Sequence, residues 1–329
     1  MDWNKMRKKK WKQIRRGIKY PILVFFIKAF ILVFGMFSRP FILSICRGFG
    51  KIAFILVKGE RNKTIKNLTL IYGAEKSAQE IYQMARQVFV HQALNFGDYI
   101  HTLHYTTREQ FSQIVEIKGE AHLKAAYEEG NGVLCLMSHA GSWEFSAIMP
   151  PVLGYSTSAL SRPMPNPRID ELIVGYRQKR GMKNIARINA YPKLIKALRS
   201  GDCLIILIDQ DTTVKGVFID FLGHPAYTPI GAARLAMDSQ APVLPMFMRR
   251  LPNNKHQFTI LPPIPWKNTG DVQNDLLENT TAYTNAIESA ILEDPEQWVW
   301  MHERWKTTPE DVEAFLQRKR EKMKPIIKD

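Results

Sequence analysis

The sequence predicts an α/β fold: a mainly parallel, mixed sheet flanked by helices, with an N-terminal hydrophobic helical segment that anchors the chain to a membrane. Over residues 120–300, short apolar runs alternate with stretches of helical spacing, as in a sheet built from strand–helix units. Two of these runs, 132–137 and 203–208, are apolar throughout, which is typical of strands buried on both faces. The anchor is predicted from two longer apolar stretches, 21–37 and 40–57.

The two N-terminal stretches favour an anchor that lies in the membrane interface. Residues 21–37 are apolar except for Lys28, and residues 40–57 contain Arg47 and Lys51. About 17 residues is the lower limit for a transmembrane helix, and no small-residue cleavage site follows Phe37 to mark a signal peptide. Because basic residues flank both stretches, a re-entrant or interfacial pair of helices fits better than one full crossing. A pair of core helices is the alternative.

Most of the positive charge lies at the two ends of the chain. Of the formal net charge of +15, residues 1–20 carry +8 and residues 318–329 carry +4, so the rest of the chain is nearly neutral. Nucleic-acid-binding proteins usually carry such charge on the folded surface, and we therefore expect no nucleic-acid partner. Basic ends beside apolar stretches suit an anionic membrane surface, and the positive-inside rule places the basic N-terminus in the cytoplasm.

Periodicity and glycine positions predict the order of the elements. After a polar junction at 58–75, helical spacing predicts helices at 77–96, 121–127, 167–180, 191–199, 231–237 and 282–292. Gly130, Gly181 and Gly201 end three of them. Strands are predicted at 132–137, 155–160, 184–188, 203–208, 217–222, 243–248 and 258–261, the last two as neighbours. We expect a basic N-terminus with the anchor (1–57), an α/β domain (58–307) and a basic C-terminal helix or tail (308–329).

The loop after the first buried strand carries the first candidate catalytic pair. Residues 138–144 read Ser-His-Ala-Gly-Ser-Trp-Glu, and a helical stretch follows. Gly141 permits a turn, so that His139 at the strand end and Glu144 in the first helical turn can meet. A carboxylate that holds one ring nitrogen raises the basicity of the other, as a general base requires. The alternative is a solvated histidine, with Glu144 only complementing the positive end of a helix.

A second polar group follows the second buried strand. Asp209-Gln210-Asp211 comes directly after that strand, where two carboxylates need partners or solvent. In a parallel sheet, ligands bind beyond the carboxyl ends of the strands, and both His139 and Asp209 are expected there. The two carboxylates position the base, bind a metal or form a turn, and the turn is the best interpretation of this segment taken alone.

Arginines and tryptophans supply two further candidate groups. Arg162 ends a predicted strand before a proline-rich turn, and Arg177 lies on the helix that follows. Planar guanidinium groups suit bidentate phosphate recognition, although a solvated basic helix face explains them equally well. The alternation of Trp298 and Trp300 suggests a strand, whose indoles either pack in the core or form an interfacial aromatic belt.

Five motifs stand in an order that is found in one known family. They are His139-x-x-x-x-Glu144, Ser161-Arg162-Pro163, Asp209-Gln210-Asp211, the run 218–226 and Ala241-Pro242-Val243-Leu244-Pro245. A late run, Trp298-x-Trp300-x-His302-x-Arg304-Trp305-Lys306, looks like the C-terminal signature of the same family. With these motifs, residues 20–306 resemble the lipid A biosynthesis acyltransferases, the bacterial lauroyl and myristoyl transferases of the lysophospholipid acyltransferase superfamily. Phosphatidylinositol mannoside acyltransferase is a relative.

The resemblance implies a membrane enzyme at the cytoplasmic face of the bacterial inner membrane. Such an enzyme moves a fatty acyl chain from an acyl thioester, carried by acyl carrier protein or coenzyme A, to a hydroxyl group of a lipid A precursor or related glycolipid. By resemblance, His139 takes the proton of that hydroxyl. Glu144 orients His139, or Asp209 or Asp211 does so, as a later carboxylate does in some relatives.

The resemblance also implies a substrate site that needs no cofactor and no metal. Arg162 and Arg177 would bind the acceptor, and backbone N–H groups around Gly141 and Ser142 would stabilise the oxyanion. The Glu-Gly-Thr-Arg motif of glycerolipid acyltransferases is absent, which disfavours a glycerol-phosphate acceptor. A lysophospholipid or ornithine-lipid acceptor stays an alternative, as does a non-catalytic peripheral membrane protein that binds anionic lipid.

Overall fold

Four consecutive helices open the part of the chain that the computed structural model describes, which comprises residues 21, 23–161 and 163–323. They are α1 (Leu23–Gly35), α2 (Arg39–Leu56), α3 (Lys58–Tyr72) and α4 (Ala78–His101). Since α3 fills most of 58–75, the prediction of a polar junction there is wrong. The apolar pattern of α3 is weak, because the helix is attached to the rest of the fold partly by a polar side chain. Asn67 donates to the carbonyls of Trp300 and His302, both at 2.8 Å.

Helices α2 and α4 pack closely because two glycines lie at their contact. A Cβ at Gly50 would stand 2.7 Å from the Cα of Val90, and one at Gly97 would stand 2.6 Å from the Sγ of Cys46. The buried face of α2 comprises Ile42, Leu43, Cys46, Gly50 and Phe54. One face of α2 therefore belongs to the interior of the fold, as the alternative of a core helix predicts.

The opposite face of α2 is apolar and exposed. Phe49 and Ile52 are 59% and 51% exposed, and Ile55 lies one turn further along the same face. Among the described helices, none is by itself long and apolar enough to span a membrane; α2 and α3 reach that threshold only as a pair, and they bend by 89° where they join. The shorter α1 is also apolar. The sequence predicted an N-terminal hydrophobic segment that anchors the chain to a membrane, but a clear membrane helix is not found there among the described residues.

After α4, the described chain contains a seven-stranded sheet. Its strands, in spatial order, are β1 (Val115–Lys118), β9 (His256–Ile260), β8 (Val243–Arg250), β2 (Val133–Met137), β5 (Cys203–Leu207), β3 (Thr157–Ser161) and β4 (Met182–Ala186). The β8–β9 pair is antiparallel, and the other five pairings are parallel. A separate hairpin contains β6 (Gly216–Phe221) and β7 (His224–Pro229). The predicted α/β fold with a mainly parallel mixed sheet is confirmed.

Helices connect the strands and cover both faces of the sheet. They are α5 (Arg108–Ser112), α6 (Glu120–Glu128), α7 (Trp143–Val152), α8 (Pro167–Gln178), α9 (Tyr191–Arg199), α10 (Gly231–Ser239) and α11 (Val272–Glu293), with α12 (Pro309–Met323) following the sheet domain. Most predicted bounds lie within two residues of the observed ones. The largest difference is at α11, which begins ten residues before the predicted 282–292 because Asp271 caps it there.

Some short segments also differ from the sequence prediction. Strand β1 has only four residues, two of them charged, and β7 contains two prolines, so neither shows an apolar strand pattern. The predicted strand at Trp298 and Trp300 is wrong, because that segment is a turn joined to Ala140 by a single bridge. Both indoles are buried in the core, which confirms core packing rather than an aromatic belt.

Strand β2 lies between two hydrophobic clusters at the centre of the sheet. Leu134 and Leu136 belong to the cluster that contains Trp298 and Trp300, and Cys135 and Met137 belong to the one on the other face. Every residue of β2 is buried. Because both faces are packed, the carboxyl end of β2 is a rigid starting point for the loop that follows.

Candidate active site

Two neighbouring parallel strands bring His139 and Asp209 together at the carboxyl edge of the sheet. Each residue of β2 pairs with the residue 70 positions later in β5, from Val133 with Cys203 to Met137 with Leu207. The same offset continues past the strand ends, so that His139 lies beside Asp209. This is the edge at which ligands bind in sheets of this kind.

The carboxylate of Asp209 is fully buried and accepts three hydrogen bonds. Its Oδ1 accepts from Nδ1 of His139 at 2.8 Å, and its Oδ2 accepts from the backbone N–H of His139 at 2.6 Å. The same Oδ2 accepts from Nε1 of Trp298 at 2.9 Å. Three donors therefore fix the carboxylate, and the carboxylate fixes the imidazole ring.

The contact shifts the pKa of both partners. Burial opposes ionisation of Asp209, but the charge of His139 and the hydrogen bonds from His139 and Trp298 outweigh it and lower the pKa of Asp209 to about 2. Burial alone would lower the pKa of His139, but the charge and hydrogen bond of Asp209, with a smaller contribution from Glu144, raise it above its ordinary value. Asp209 is therefore ionised throughout the range in which His139 titrates.

The free nitrogen of the neutral His139 ring is Nε2. An ionised carboxylate only accepts hydrogen bonds, so Nδ1 carries the proton and Nε2 keeps its lone pair. No described residue bonds Nε2, and the side chain is 22% exposed. The rings of Trp143 and His302 lie 5.8 Å and 5.7 Å from the imidazole, measured between ring centroids. The arrangement is that of an accessible base with a buried orienting carboxylate.

Glu144 does not hold the ring of His139, contrary to the prediction from the loop. Its carboxylate accepts from Arg177 of α8, at 2.7 Å from Nη2 to Oε1 and 3.4 Å from Nε to Oε2. The pair therefore links the first turn of α7 to α8. Glu144 acts on His139 only through its charge, as the smallest of the contributions to the raised pKa.

Asp211 also points away from His139. Its Oδ2 accepts from Oγ1 of Thr307 at 2.8 Å. Between the two carboxylates, Gln210 contacts His302, with 2.8 Å between their Nε2 atoms. Of the carboxylates expected to orient His139, it is thus Asp209 that makes the contact. Arg162, expected in the acceptor site, lies outside the described residues.

Trp298 and His302 join the site although the sequence predicted neither as a site residue. The turn that follows α11 carries both, and they approach Asp209 and Gln210 from the far side of the loop. The tryptophan-rich run at 298–306 was the sequence signal that could have marked them, but the alternation of its tryptophans indicates a strand rather than a site. No local pattern shows that the N–H of one indole reaches a carboxylate 89 positions away.

The backbone of the loop supplies N–H groups, but not at Gly141. The Gly141 N–H donates to the Gln297 carbonyl at 3.0 Å and is therefore not available to an oxyanion. Ser142 occupies the N-cap position of α7 but its side chain makes no capping bond, and the N–H groups of Trp143 and Glu144 in the first turn find no acceptor among the described residues. These amides, rather than that of Gly141, are placed to stabilise negative charge.

A cavity of about 280 Å³ opens beside the first turn of α7. It lies between α4 and that turn and is lined by Gln92, Asn95, Phe96, Tyr99, Ser142, Trp143 and Glu144. Within the described ranges, no three His, Cys, Asp or Glu side chains lie close enough to hold a metal ion. A partly exposed base, two amides without an acceptor among the described residues and a cavity together suit proton abstraction from a hydroxyl and stabilisation of an oxyanion.

Comparison with known proteins identifies the family. Residues 8–307 match the model of the family described as bacterial lipid A biosynthesis acyltransferase. The chain belongs to this family. The resemblance inferred from the ordered motifs is thereby confirmed.

Several relatives carry acyltransferase names. The lipid A biosynthesis acyltransferase of Haemophilus influenzae is 28% identical over 202 residues, which cover 61% of this chain and 62% of the relative. The lipid A biosynthesis lauroyltransferase of Escherichia coli K12 is 28% identical over 281 residues, 83% of this chain and 88% of the relative. The phosphatidylinositol mannoside acyltransferase of Mycobacterium tuberculosis is 28% identical over 134 residues, 39% and 42% of the two chains. The chain thus spans less than two thirds of the Haemophilus relative.

Replacing Asp209 by Asn is expected to lower the pKa of His139. Without the carboxylate charge, burial becomes the dominant influence and disfavours the protonated ring. Diethyl pyrocarbonate modifies the neutral imidazole, so its rate at His139 against pH, followed by mass spectrometry, reports that pKa. We expect a midpoint above the ordinary histidine value in the wild type and a lower midpoint in Asp209→Asn.

Asp202→Asn is the matched control for this titration. Asp202 is also buried, precedes β5 at the opposite edge of the sheet, and is held by Ser156, Ser158 and Lys183. This variant should leave the midpoint of His139 unchanged. If Asp209→Asn left it unchanged as well, the assigned contact would be wrong.

Proposed function

We propose that the protein is a membrane-associated acyltransferase that moves a fatty acyl chain from an acyl thioester to a hydroxyl of a lipid A precursor or related glycolipid. The observation that carries the proposal is His139, in a chain of this family: its Nδ1 is held by buried Asp209, and its Nε2 has no partner among the described residues. The acyl donor is the thioester of acyl carrier protein or coenzyme A. The reaction requires no cofactor and no metal ion.

The base acts on the acceptor hydroxyl. Nε2 of His139 takes the proton as the hydroxyl oxygen attacks the thioester carbonyl, and a tetrahedral intermediate forms. The imidazolium is stabilised by Asp209, which stays ionised because its pKa is about 2. As the C–S bond breaks, the thiolate leaves and His139 returns the proton to sulfur. The products are an ester and a free thiol, and the enzyme is regenerated.

The oxyanion of that intermediate lies near the first turn of α7 in this proposal. The N–H groups of Trp143 and Glu144, which find no acceptor in the described part of the chain, and the positive end of the helix favour negative charge there. A single such donor contributes about 10²–10³-fold to the rate of comparable enzymes. The same turn borders the 280 Å³ cavity, where Phe96, Tyr99 and Trp143 offer apolar contacts to an acyl chain.

Arg177 is proposed to face the acceptor. Two of its nitrogens are paired with Glu144, and that pairing fixes the guanidinium plane beside the catalytic loop. Its remaining nitrogen, Nη1, has no partner among the described residues and is not sealed from solvent. A fixed guanidinium with an open donor suits a phosphate or carboxylate group on the acceptor lipid.

The proposed location is the cytoplasmic face of the bacterial inner membrane. Exposed apolar side chains line α1 and α2, including Phe25, Phe26, Leu32, Phe49, Ile52 and Leu56. Exposed Arg47 and Lys51 lie among them on α2, where long basic side chains can reach the head groups. We propose that these helices lie in the interface rather than cross it, which brings the site to the lipid acceptor.

His139→Ala should abolish acyl transfer. Purified protein in detergent or membranes is supplied with radiolabelled acyl donor and lipid acceptor, and label in the lipid is counted. Loss of the base should lower the rate by roughly 10²–10⁴-fold. His224→Ala is the control, because His224 lies on the β6–β7 hairpin, where its ring bonds the Leu70 carbonyl and no other group among the described residues. Full activity in His139→Ala would contradict the mechanism. Lipid binding without acyl transfer by the wild-type protein would favour the non-catalytic alternative.

Polar substitution on the exposed face of α2 should weaken membrane binding. In Phe49→Ser/Ile52→Ser, two half-exposed apolar side chains no longer enter the interface, and binding to anionic vesicles should fall roughly 10-fold or more. Vesicle sedimentation measures the bound fraction. Leu277→Ser/Leu292→Ser changes two exposed leucines of α11 and should bind normally. Equal binding by both double variants would show that α2 does not face the lipid.

A further inference from the structure

A buried ionic cluster lies beneath the catalytic loop. Its centre is Asp98 of α4, whose side chain is completely buried. Its Oδ1 accepts from Nε of Arg39 at 2.6 Å, and its Oδ2 lies 2.7 Å from Nη1 of Arg250 and 2.9 Å from Nε2 of His256. These partners come from the start of α2, the end of β8 and the start of β9. One carboxylate thus joins four elements of the fold.

The cluster carries one more positive than negative charge. Burial lowers the pKa of His256 to about 4, so that its ring is neutral at physiological pH. The pKa of Asp98 is held well below its usual range, because the hydrogen bond from His256 and the charge of Arg250 outweigh burial. Arg39 and Arg250 therefore face a single carboxylate. Nη1 of Arg250 faces Asp98, whereas its Nη2 faces the side chain of Asn95.

Arg250 fixes the orientation of the Asn95 amide. Nη2 of Arg250 donates to Oδ1 of Asn95 at 2.9 Å, and Nδ2 of Asn95 donates to the carbonyl of Gly141 at 2.7 Å. A guanidinium group only donates and a backbone carbonyl only accepts, so the opposite orientation of the amide would lose both bonds. Asn95 therefore presents an N–H group to the catalytic loop in a fixed position.

Gly141 is held on every side. Its carbonyl accepts from Asn95 and its N–H donates to the Gln297 carbonyl at 3.0 Å. The side chain of Gln297 in turn bonds both the N–H and the carbonyl of Arg250. At φ +55°, a Cβ on Gly141 would stand 1.7 Å from the Met248 carbonyl oxygen, so only glycine fits. The peptide two residues after His139 is thus clamped by buried groups.

We infer that Asn95 and Arg250 are positioning residues, which hold the Gly141 peptide and so set where the His139 ring and the first amides of α7 stand. The inference rests on the proposed function, because it assigns a role in that reaction. Neither residue contacts His139 or Asp209 directly. They act on the backbone of the loop, whereas Asp209 acts on the imidazole ring, and the two contacts together define the geometry of the base.

Asn95→Asp tests the inference with the smallest change of shape. The new carboxylate keeps the contact with Arg250 and gains a charge partner there, but it cannot donate to the Gly141 carbonyl. We expect kcat to fall roughly 10–100-fold, with a smaller change in KM, because the loop is displaced while Phe96, Tyr99 and Trp143, the apolar side chains of the cavity, are unchanged. Steady-state acyl transfer on the full-length protein measures both constants.

Hydrogen exchange supplies a second readout that does not depend on activity. Mass spectrometry should show faster amide exchange in residues 138–142 of Asn95→Asp, since the Gly141 peptide loses a bond. Asn279→Asp is the matched control: Asn279 is buried and its Nδ2 donates to the carbonyls of Lys267 and Asp275, within α11 and the segment before it. It should leave kcat and exchange in 138–142 at wild-type values.

The outcomes separate this inference from the proposed function. If the wild type transfers acyl chains and His139→Ala does not, but Asn95→Asp matches the wild type in kcat or in exchange, the positioning role is wrong and the proposed function stands. If the wild type transfers no acyl chain, the proposed function is wrong, and exchange in residues 138–142 still decides whether Asn95 holds the loop.

Discussion

The parallel register between β2 and β5 is the constraint on which the site depends. It aligns residues 70 positions apart and so places Asp209 against the ring of His139. A slip of one residue would turn every side chain of β2 to the other face of the sheet. Since Leu136 packs in one cluster and Met137 in the other, both faces resist that slip.

Two buried carboxylates fix the catalytic loop at the end of β2. Asp209 holds the imidazole, and Asp98 holds Arg250, which reaches the loop backbone through Asn95. Removing one partner of such a buried ion pair lowers the free energy of unfolding by about 3–5 kcal/mol, because the other charge is left uncompensated. Each carboxylate is therefore satisfied by several elements at once, and the loop is part of the interior rather than a flexible surface segment.

The sequence predicts the sheet and its functional edge well, because apolar runs and strand ends are local patterns. It places His139 and Asp209 at one edge correctly. It does not predict which carboxylate meets the ring, since spacing within the loop favours Glu144 and the register that selects Asp209 is not local. The helical α3 is missed for a related reason: its main contact is a polar one, from Asn67 to a distant turn.

The central claim is that Asp209 sets the tautomer of His139. Nitrogen-15 NMR of the ring, assigned with the His139→Ala protein and recorded above the pKa of His139, tests it most directly. We expect a protonated Nδ1 and an unprotonated Nε2 in the wild type, with this preference lost in Asp209→Asn. A protonated Nε2 in the wild type, or a preference that survives in Asp209→Asn, would contradict it.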